Sequence, residues 1–134
     1  MDRMNTLKHF EQVGRRGFFR PVGMMTFEQA VQTVAEGMRH ARSLELVDLL
    51  VNTSGLSGFP TPDVFARYSL ASNWAESAGA SMRVALVARP EIIDPEKIGV
   101  LMAQNRGVSG DVFTNEAAAI AWLDLGIGTA ATNP

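Results

Sequence analysis

The sequence predicts a single α/β domain in which a mixed β-sheet is flanked by about four helices. Short apolar segments compatible with strands alternate along the chain with segments whose apolar residues recur at helical spacing, which is the pattern of strands joined by helices. The connections are short, so we expect right-handed crossovers and a largely parallel sheet. Two strand-like segments follow one another directly near the start, and this pair makes the predicted sheet mixed.

Composition excludes several classes of protein. The chain has 134 residues, 46% of them hydrophobic and 19% charged, which is typical of a globular domain. Its net charge of −2 argues against a general nucleic-acid binder. The absence of cysteine excludes disulfides, thiolate metal sites and cysteine nucleophiles. No signal peptide is evident and no apolar run approaches the ~20 residues of a membrane span, so we expect a cytoplasmic protein.

The first two strands are predicted at residues 7–13 and 18–22, on either side of a hairpin turn. The turn contains Gly14 and Gly17, and glycine is typical of such connections. Pro21 has no amide donor, so it suits a strand end better than the centre of a sheet.

The first helix has a clear start and a clear buried face. Thr26 and Gln29 form a Thr-x-x-Gln capping box, which satisfies backbone amides at the start of the helix. The helical spacing of seven apolar residues defines the face that we expect to be buried: Phe27, Ala30, Val31, Val34, Ala35, Met38 and Ala41.

A central strand is predicted at residues 44–51, where a nearly continuous apolar run indicates a strand covered on both faces. Asp48 interrupts the run. A functional carboxylate is one interpretation, and a carboxylate hydrogen-bonded within the sheet is the one we favour. The connector that follows is rich in glycine and proline.

The second helix is predicted at residues 61–78. Thr61 is expected as its N-cap, Pro62 as its first residue and Asp63 as an acidic residue of the first turn, with Gly79 at its C-terminal end. Its apolar face is unusually wide, because aromatic residues lie beside the main stripe.

Two further strand–helix units complete the predicted domain, which spans residues 1–125. Strands are expected at residues 83–88 and 111–113, a third helix at residues 94–107, and a last helix that begins at Thr114 or Asn115. Residues 126–134 lack periodicity, and we expect them to form a flexible tail.

Three segments together resemble the SpoIIAA-like proteins, which are related to STAS domains. They are Gly23-Met24-Met25-Thr26 before the first helix, "LELVDLLVNTSGLSGF" as central strand and turn, and "GDVFTNEAAAIAWL" as closing strand and helix. The resemblance covers residues 5–125. It implies a sheet flanked by helices and a regulatory role, and the related CRAL-TRIO-like proteins bind apolar ligands.

The segment Thr53-Ser54-Gly55-Leu56 raises the question of a phosphorylation switch, because anti-sigma-factor antagonists carry a phosphorylated serine in an Asp-Ser-Ser-Gly-Leu segment. In those proteins the phosphorylated serine lies several residues after the central strand, at a helix start. Ser54 follows the central strand at once, so the match is out of register. Thr61 is the hydroxyl nearest the expected place, but the Asp-Ser-Ser-Gly pattern is missing there and helix capping explains it.

No catalytic pattern is present. The chain lacks the nucleophile elbow, the zinc-protease motif and the phosphate-binding loop, and neither histidine has a partner visible in the sequence. We therefore predict a protein that is not an enzyme, with no catalytic residue, cofactor or metal.

Two functions from different classes remain. The first, which the sequence favours, is a regulatory module that acts through protein contacts, as a homodimer or with another protein. Its predicted contact surface consists of Ser54, Phe59, Thr61, Phe65 and Trp74. The alternative is a carrier or sensor of a small apolar, lipid-like ligand, with a pocket lined by Met24, Met25 and Met102. Simple core packing also explains these methionines, and a cavity in the structure would distinguish the two.

Overall fold

The computed structural model describes residues 7–63, 66, 72–74, 76–77, 79, 82–93, 104 and 109–132, with side chains described as far as residue 125. The strands are β1 (Phe10–Val13), β2 (Arg16–Phe19), β3 (Gly23–Met24), β4 (Asp48–Asn52), β5 (Leu56–Ser57), β6 (Arg83–Val87) and β7 (Ser109–Phe113). The helices with both ends described are α1 (Phe27–Ser43) and α2 (Glu116–Thr132).

A five-stranded mixed sheet in the order β1-β2-β4-β6-β7 organises the described residues. Strands β2, β4, β6 and β7 are parallel, and β1 pairs antiparallel with β2. The predicted mixed α/β sheet is therefore confirmed. The hairpin turn is tighter than predicted, because Val13 pairs directly with Arg16 and leaves only two residues in the turn. Gly14 adopts a φ of 62°, which glycine reaches without steric cost.

Helix α1 forms as its sequence predicts. The backbone amide of Gln29 donates to Thr26 Oγ1 at 3.1 Å, and the amide of Thr26 donates to Gln29 Oε1 at 2.9 Å, which completes the capping box. Of the predicted face, Phe27 is half-buried and the other six residues are buried. Gly37 is also buried, because the ring of Phe19 occupies the space that a side chain would need.

The core has two layers, one on each face of the sheet. Leu49 and Val51 of β4 face α1 and belong to the larger cluster, whereas Leu50 belongs to the cluster under α2 with Ala119 and Leu123. Successive residues of a strand point to opposite faces, so the continuous apolar run of β4 reflects a strand that is covered on both sides, as predicted.

About three helices are present in the described part of the chain, where the sequence predicts about four. Ala66, residues 72–74 and residues 76–77 are helical and constitute the middle helical segment. The predicted third helix lies outside the described residues except for Gln104, which is helical.

The cap of the middle helical segment is not the predicted one. Asp63 Oδ1 accepts a hydrogen bond of 2.8 Å from the amide of Ala66, three residues on, which is the N-cap arrangement. Thr61 instead directs its hydroxyl toward the carbonyl of Glu91, at 3.5 Å. The prediction that Thr61 caps the helix is therefore wrong. At the other end, Gly79 adopts the expected left-handed conformation, with a φ of 70°.

Other boundaries also differ from the sequence prediction. The central strand begins at Asp48 rather than at residue 44, because α1 continues to Ser43 and a turn with Glu45 at a φ of 57° follows it. Helix α2 continues to Thr132, through residues predicted as a tail, since each residue added to an existing helix gains a backbone hydrogen bond. The short parallel pair of β3 and β5 was not predicted.

Candidate functional site

A groove of about 1050 Å³ runs beside α1, between the first two turns of that helix and the middle helical segment. Apolar and polar side chains both line it. Its described lining residues are Met24, Met25, Phe27, Glu28, Gln29, Val31, Gln32, Thr33, Ala66 and Asn73.

The pair of β3 and β5 fixes the two methionines at the groove. The amide of Met25 donates to the carbonyl of Ser57 at 2.7 Å, and the hydroxyl of Thr33 donates to the sulfur of Met25 at 3.6 Å. Gly58, with a φ of 99°, approaches so closely that an added Cβ would lie 2.7 Å from Met24 Cγ. The backbone here is thus closely held, while the side chain of Met24 is 83% exposed.

A second, smaller cavity of about 50 Å³ lies beneath the first turn of α1, at the carboxyl ends of β4 and β6. Ligand sites of open α/β sheets occur at this edge. The lining is almost entirely apolar, and its described members are Phe27, Ala30, Val31, Val34, Thr53, Leu56, Phe59, Leu86, Ala88 and Ile92. The hydroxyl of Thr53 already donates to the carbonyl of Val87 at 2.9 Å. Water needs several polar partners, so this cavity favours an apolar occupant.

Phe27 and Val31 line both spaces, so a single layer of side chains separates the groove from the cavity. Phe59 also lines the cavity and meets Phe27 edge to face, with ring centroids 5.7 Å apart. Both rings are half-buried.

The turn at Asn52–Gly55 is held by its own polar groups. Asn52 Oδ1 accepts hydrogen bonds from the amide of Ser54 at 3.0 Å and from its hydroxyl at 2.6 Å. The amide of Leu56 donates to the carbonyl of Thr53 at 3.0 Å. These bonds are typical of an Asx-stabilised turn, so a structural connector between β4 and β5 accounts for the glycine and serine of this segment.

A polar network joins this turn to α2. Glu116 Oε2 accepts hydrogen bonds from Asn52 Nδ2 and from Arg20 Nε, each at 2.8 Å, and Glu116 Oε1 accepts one from Arg20 at 3.0 Å. The bonds from Arg20, and then that from Asn52, lower the pKa of the Glu116 carboxyl below its usual value. Glu116 thereby ties the start of α2 to the ends of β2 and β4.

Asp48 forms a buried ion pair at the opposite edge of the sheet. Arg16 Nε donates to Asp48 Oδ1 at 2.8 Å and Arg16 Nη2 donates to Asp48 Oδ2 at 3.2 Å. Arg16 also contacts the exposed Asp124 of α2 at 2.9 Å. The interpretation of Asp48 as a hydrogen-bonded strand carboxylate is confirmed. The hydrogen bond to Asp48 is the main reason that the pKa of Arg16 is raised.

The predicted contact surface is divided by the structure. Ser54 and Thr61 are exposed, Phe59 is half-buried at the cavity, and Phe65 lies outside the described residues. Trp74 is only 3% exposed and packs over the backbone of Gly110, where an added Cβ would lie 2.6 Å from its ring. The prediction of Trp74 as a surface anchor is therefore wrong, because the ring belongs to the larger core cluster.

Of the predicted pocket residues, Met24 and Met25 line the groove, and Met102 lies outside the described residues. Sequence reasoning missed Phe27 as a site residue and the cavity residues Leu56 and Ile92. Phe27 carried a local signal, since it lies within the capping box, directly after the N-cap Thr26. Its contact with Phe59 depends on the tertiary fold, which no local spacing predicts.

Among the described residues, no group of three or more His, Asp or Glu side chains is placed to hold a metal ion. Within the same part of the chain, no helix has the length and apolar character needed to cross a bilayer.

Comparison of the chain with family models, with curated proteins and with solved structures finds no match. The resemblance to SpoIIAA-like proteins therefore stays a prediction from the sequence segments quoted above.

Proposed function

We propose that this protein is a non-catalytic module that binds a small amphipathic ligand in the groove beside α1. The observation that carries the proposal is the groove itself, with Met24, Met25, Phe27 and Val31 among its described lining residues. Binding sites for small molecules have volumes of about 300–1,000 Å³ and combine apolar walls with a few polar groups, and the groove resembles them in size and composition.

The exposure of Met24 supports this function. A methionine that is 83% exposed gains little from packing in the free protein, while burial of such a side chain stabilises by about 1.5–3 kcal/mol. Methionine also adapts its shape to different apolar partners. A ligand that covers Met24 therefore gains from both properties.

The polar lining supports an amphipathic rather than a purely apolar ligand. Glu28 and Gln32 are exposed residues of α1 at the groove, and Asn73 lies across from them. Gln29 contributes less, because its side chain is engaged in the capping box. We expect the polar end of the ligand to contact Glu28 and Gln32 and its apolar part to cover the methionines.

Protein–protein contact, which the sequence favours, is the second candidate function. One specific observation supports it, namely that Val22 and Met24 are 59% and 83% exposed on either side of Gly23 in β3. Val22 also lies against Gly55, close to Ser54 of the predicted contact surface. A partner protein, or a second copy of this chain, that covered this surface would occlude the groove as well. The burial of Trp74 argues against that residue as part of the surface.

Titration with N-phenyl-1-naphthylamine, a neutral probe that fluoresces in apolar surroundings, tests the ligand function. We expect Met24→Asp to weaken binding by about tenfold, because the methionine contact is lost and a charge replaces it. Leu125→Asp is the matched control, since Leu125 is another exposed apolar residue, 68% exposed and placed on α2 away from the groove. Unchanged affinity of Met24→Asp would show that the groove is not the site. Native mass spectrometry of the same proteins separates a bound ligand from a dimer.

A further inference from the structure

We propose that the groove and the small cavity form one two-part site, and that the natural ligand carries an unbranched alkyl end that passes between Phe27 and Phe59 into the cavity. This inference rests on the proposed function of the groove. It adds the chemical class of the ligand and the path that its apolar end follows.

The two spaces share walls. Phe27 and Val31 are in contact with both, so a ligand in the groove is one side-chain layer away from the cavity. Phe27 is the first residue of α1, and its backbone is held by the capping box of Thr26 and Gln29. Access therefore depends on rotation of the two rings about their side-chain bonds, without movement of the helix.

Hydrogen bonds join the two loops that lie at the other side of the cavity. Arg89 donates to the carbonyl of Leu56 at 3.1 Å, which joins the loop after β6 to β5. The hydroxyl of Thr61 lies 3.5 Å from the carbonyl of Glu91 and adds a longer contact between the same two regions. These contacts hold the loops together on that side, and the shared residues Phe27 and Val31 mark the side of the cavity that faces the groove.

Cavity size selects the apolar group. A cavity of about 150 Å³ holds a benzene ring, whereas this one has about 50 Å³. A ring is too large for it, and the last carbons of an unbranched chain fit. A charged or strongly polar end is excluded by desolvation, because Thr53 is the one polar side chain among the described lining residues and its hydroxyl is already engaged.

A series of n-alkanols from pentanol to dodecanol, measured by displacement of N-phenyl-1-naphthylamine, tests this path. For the native chain we expect affinity to increase about fourfold with each methylene and to stop increasing once the chain end fills the cavity. Ala30→Leu fills the cavity from α1, so its affinity should reach a plateau, the chain length beyond which affinity no longer increases, at a shorter alkanol. Ile92→Ala enlarges the cavity, so its plateau should come at a longer one.

Ile93→Ala is the matched control, because Ile93 is also half-buried but does not line the cavity. Its plateau should match that of the native chain. If Ala30→Leu fails to fold, the comparison of Ile92→Ala with Ile93→Ala decides alone. A failure of the native chain to bind any alkanol would overturn the groove function and this inference together. Binding with the same plateau in Ile92→Ala and the native chain would leave the groove function standing and refute the path into the cavity.

Discussion

Phe27 and Phe59 lie edge to face, with their ring centroids 5.7 Å apart and their planes inclined at 69°. Phe27 begins α1, and Phe59 lies in the bend that follows β5. The contact joins two elements that are distant in sequence. Phe27 belongs to the layer of side chains between the groove and the cavity, and Phe59 packs against it from the cavity side. Aromatic pairs in this arrangement are favourable, so the closed pair is the stable state without ligand.

Phe59→Ala removes the ring that packs against Phe27 from the cavity side. We expect association of n-decanol to become on the order of tenfold faster, because a side-chain rearrangement no longer limits access. Stopped-flow fluorescence with N-phenyl-1-naphthylamine measures the rate. Phe18→Ala is the control, since Phe18 is also half-buried but belongs to the cluster under α2. An unchanged rate in Phe59→Ala would argue against a gating role of the pair.

Asp48 and Asp124 both contact Arg16 but differ in burial, with side chains 1% and 62% exposed. Asp48→Ala should lower the free energy of unfolding by about 2–3 kcal/mol, less than for a fully unpaired buried charge, because Arg16 loses its buried partner but keeps the exposed Asp124. Asp124→Ala should lower it by less than about 1 kcal/mol, as for other exposed pairs. Urea denaturation measures both. Equal losses in the two variants would contradict the account of Asp48 as a structural carboxylate.

The lowered pKa of the Glu116 carboxyl implies that the stability of the fold depends on pH. Its folded-state pKa is lowered by Arg20 and Asn52, so its ionised form stabilises the fold above the unfolded pKa of glutamate, ~4.3. That contribution is lost as the pH falls through the folded pKa, which lies below the unfolded one. The free energy of unfolding of Glu116→Gln should thus be lower than that of the native chain at pH 6, with a difference that shrinks toward pH 3.

Glu91→Gln serves as the control for this prediction, because Glu91 is an exposed residue whose contact with Arg89 is long, at 3.8 Å. Its effect on stability should be small at both pH values. A difference between Glu116→Gln and the native chain that stays constant from pH 6 to pH 3 would argue against the pairing of Glu116 with Arg20.

Because Trp74 is buried, we expect its substitution to lower stability rather than to weaken association selectively. Trp74→Ala should destabilise by about 3–5 kcal/mol, as for other large buried aromatic residues. Trp74→Phe should cost much less, because Trp74 Nε1 has no hydrogen-bond partner among the described residues and phenylalanine removes a buried polar group. Thermal and urea denaturation compare the two. A Trp74→Ala variant with native stability would restore the prediction of a surface anchor.

Local signals explain which parts of the fold were predictable. The capping box of Thr26 and Gln29 and the apolar face of α1 are short-range patterns, and both appear as expected. The covered central strand was recognised because apolar residues on both faces can only be buried by two layers. Asp48 was interpreted correctly on the same ground, since a carboxylate inside such a strand needs a partner.

Tertiary contacts explain what was missed. Strands β3 and β5 have two residues each, too few for an apolar period to show. Thr61 and Asp63 are both residue types that commonly cap helices, so the local sequence does not distinguish them. In the structure Asp63 accepts the capping hydrogen bond, and Thr61 contacts Glu91, which is distant in sequence. Trp74 lies on a wide apolar face, and only the position of β7 decides that its ring is covered. Met24 and Met25 are predicted pocket residues and do line the groove, whereas the sequence does not indicate Phe27 and places Phe59 in a contact surface rather than at a cavity.

The most direct test of the proposed ligand function is a titration with n-decanol followed through the methyl signals of ¹³C-labelled methionines. We expect the signals of Met24 and Met25 to shift and saturate, because these side chains line the groove. The signals of Met38 and Met82 should stay nearly constant, because both side chains are buried in the main core. Constant signals of Met24 and Met25 at saturating decanol, or equal shifts of all four, would contradict the account.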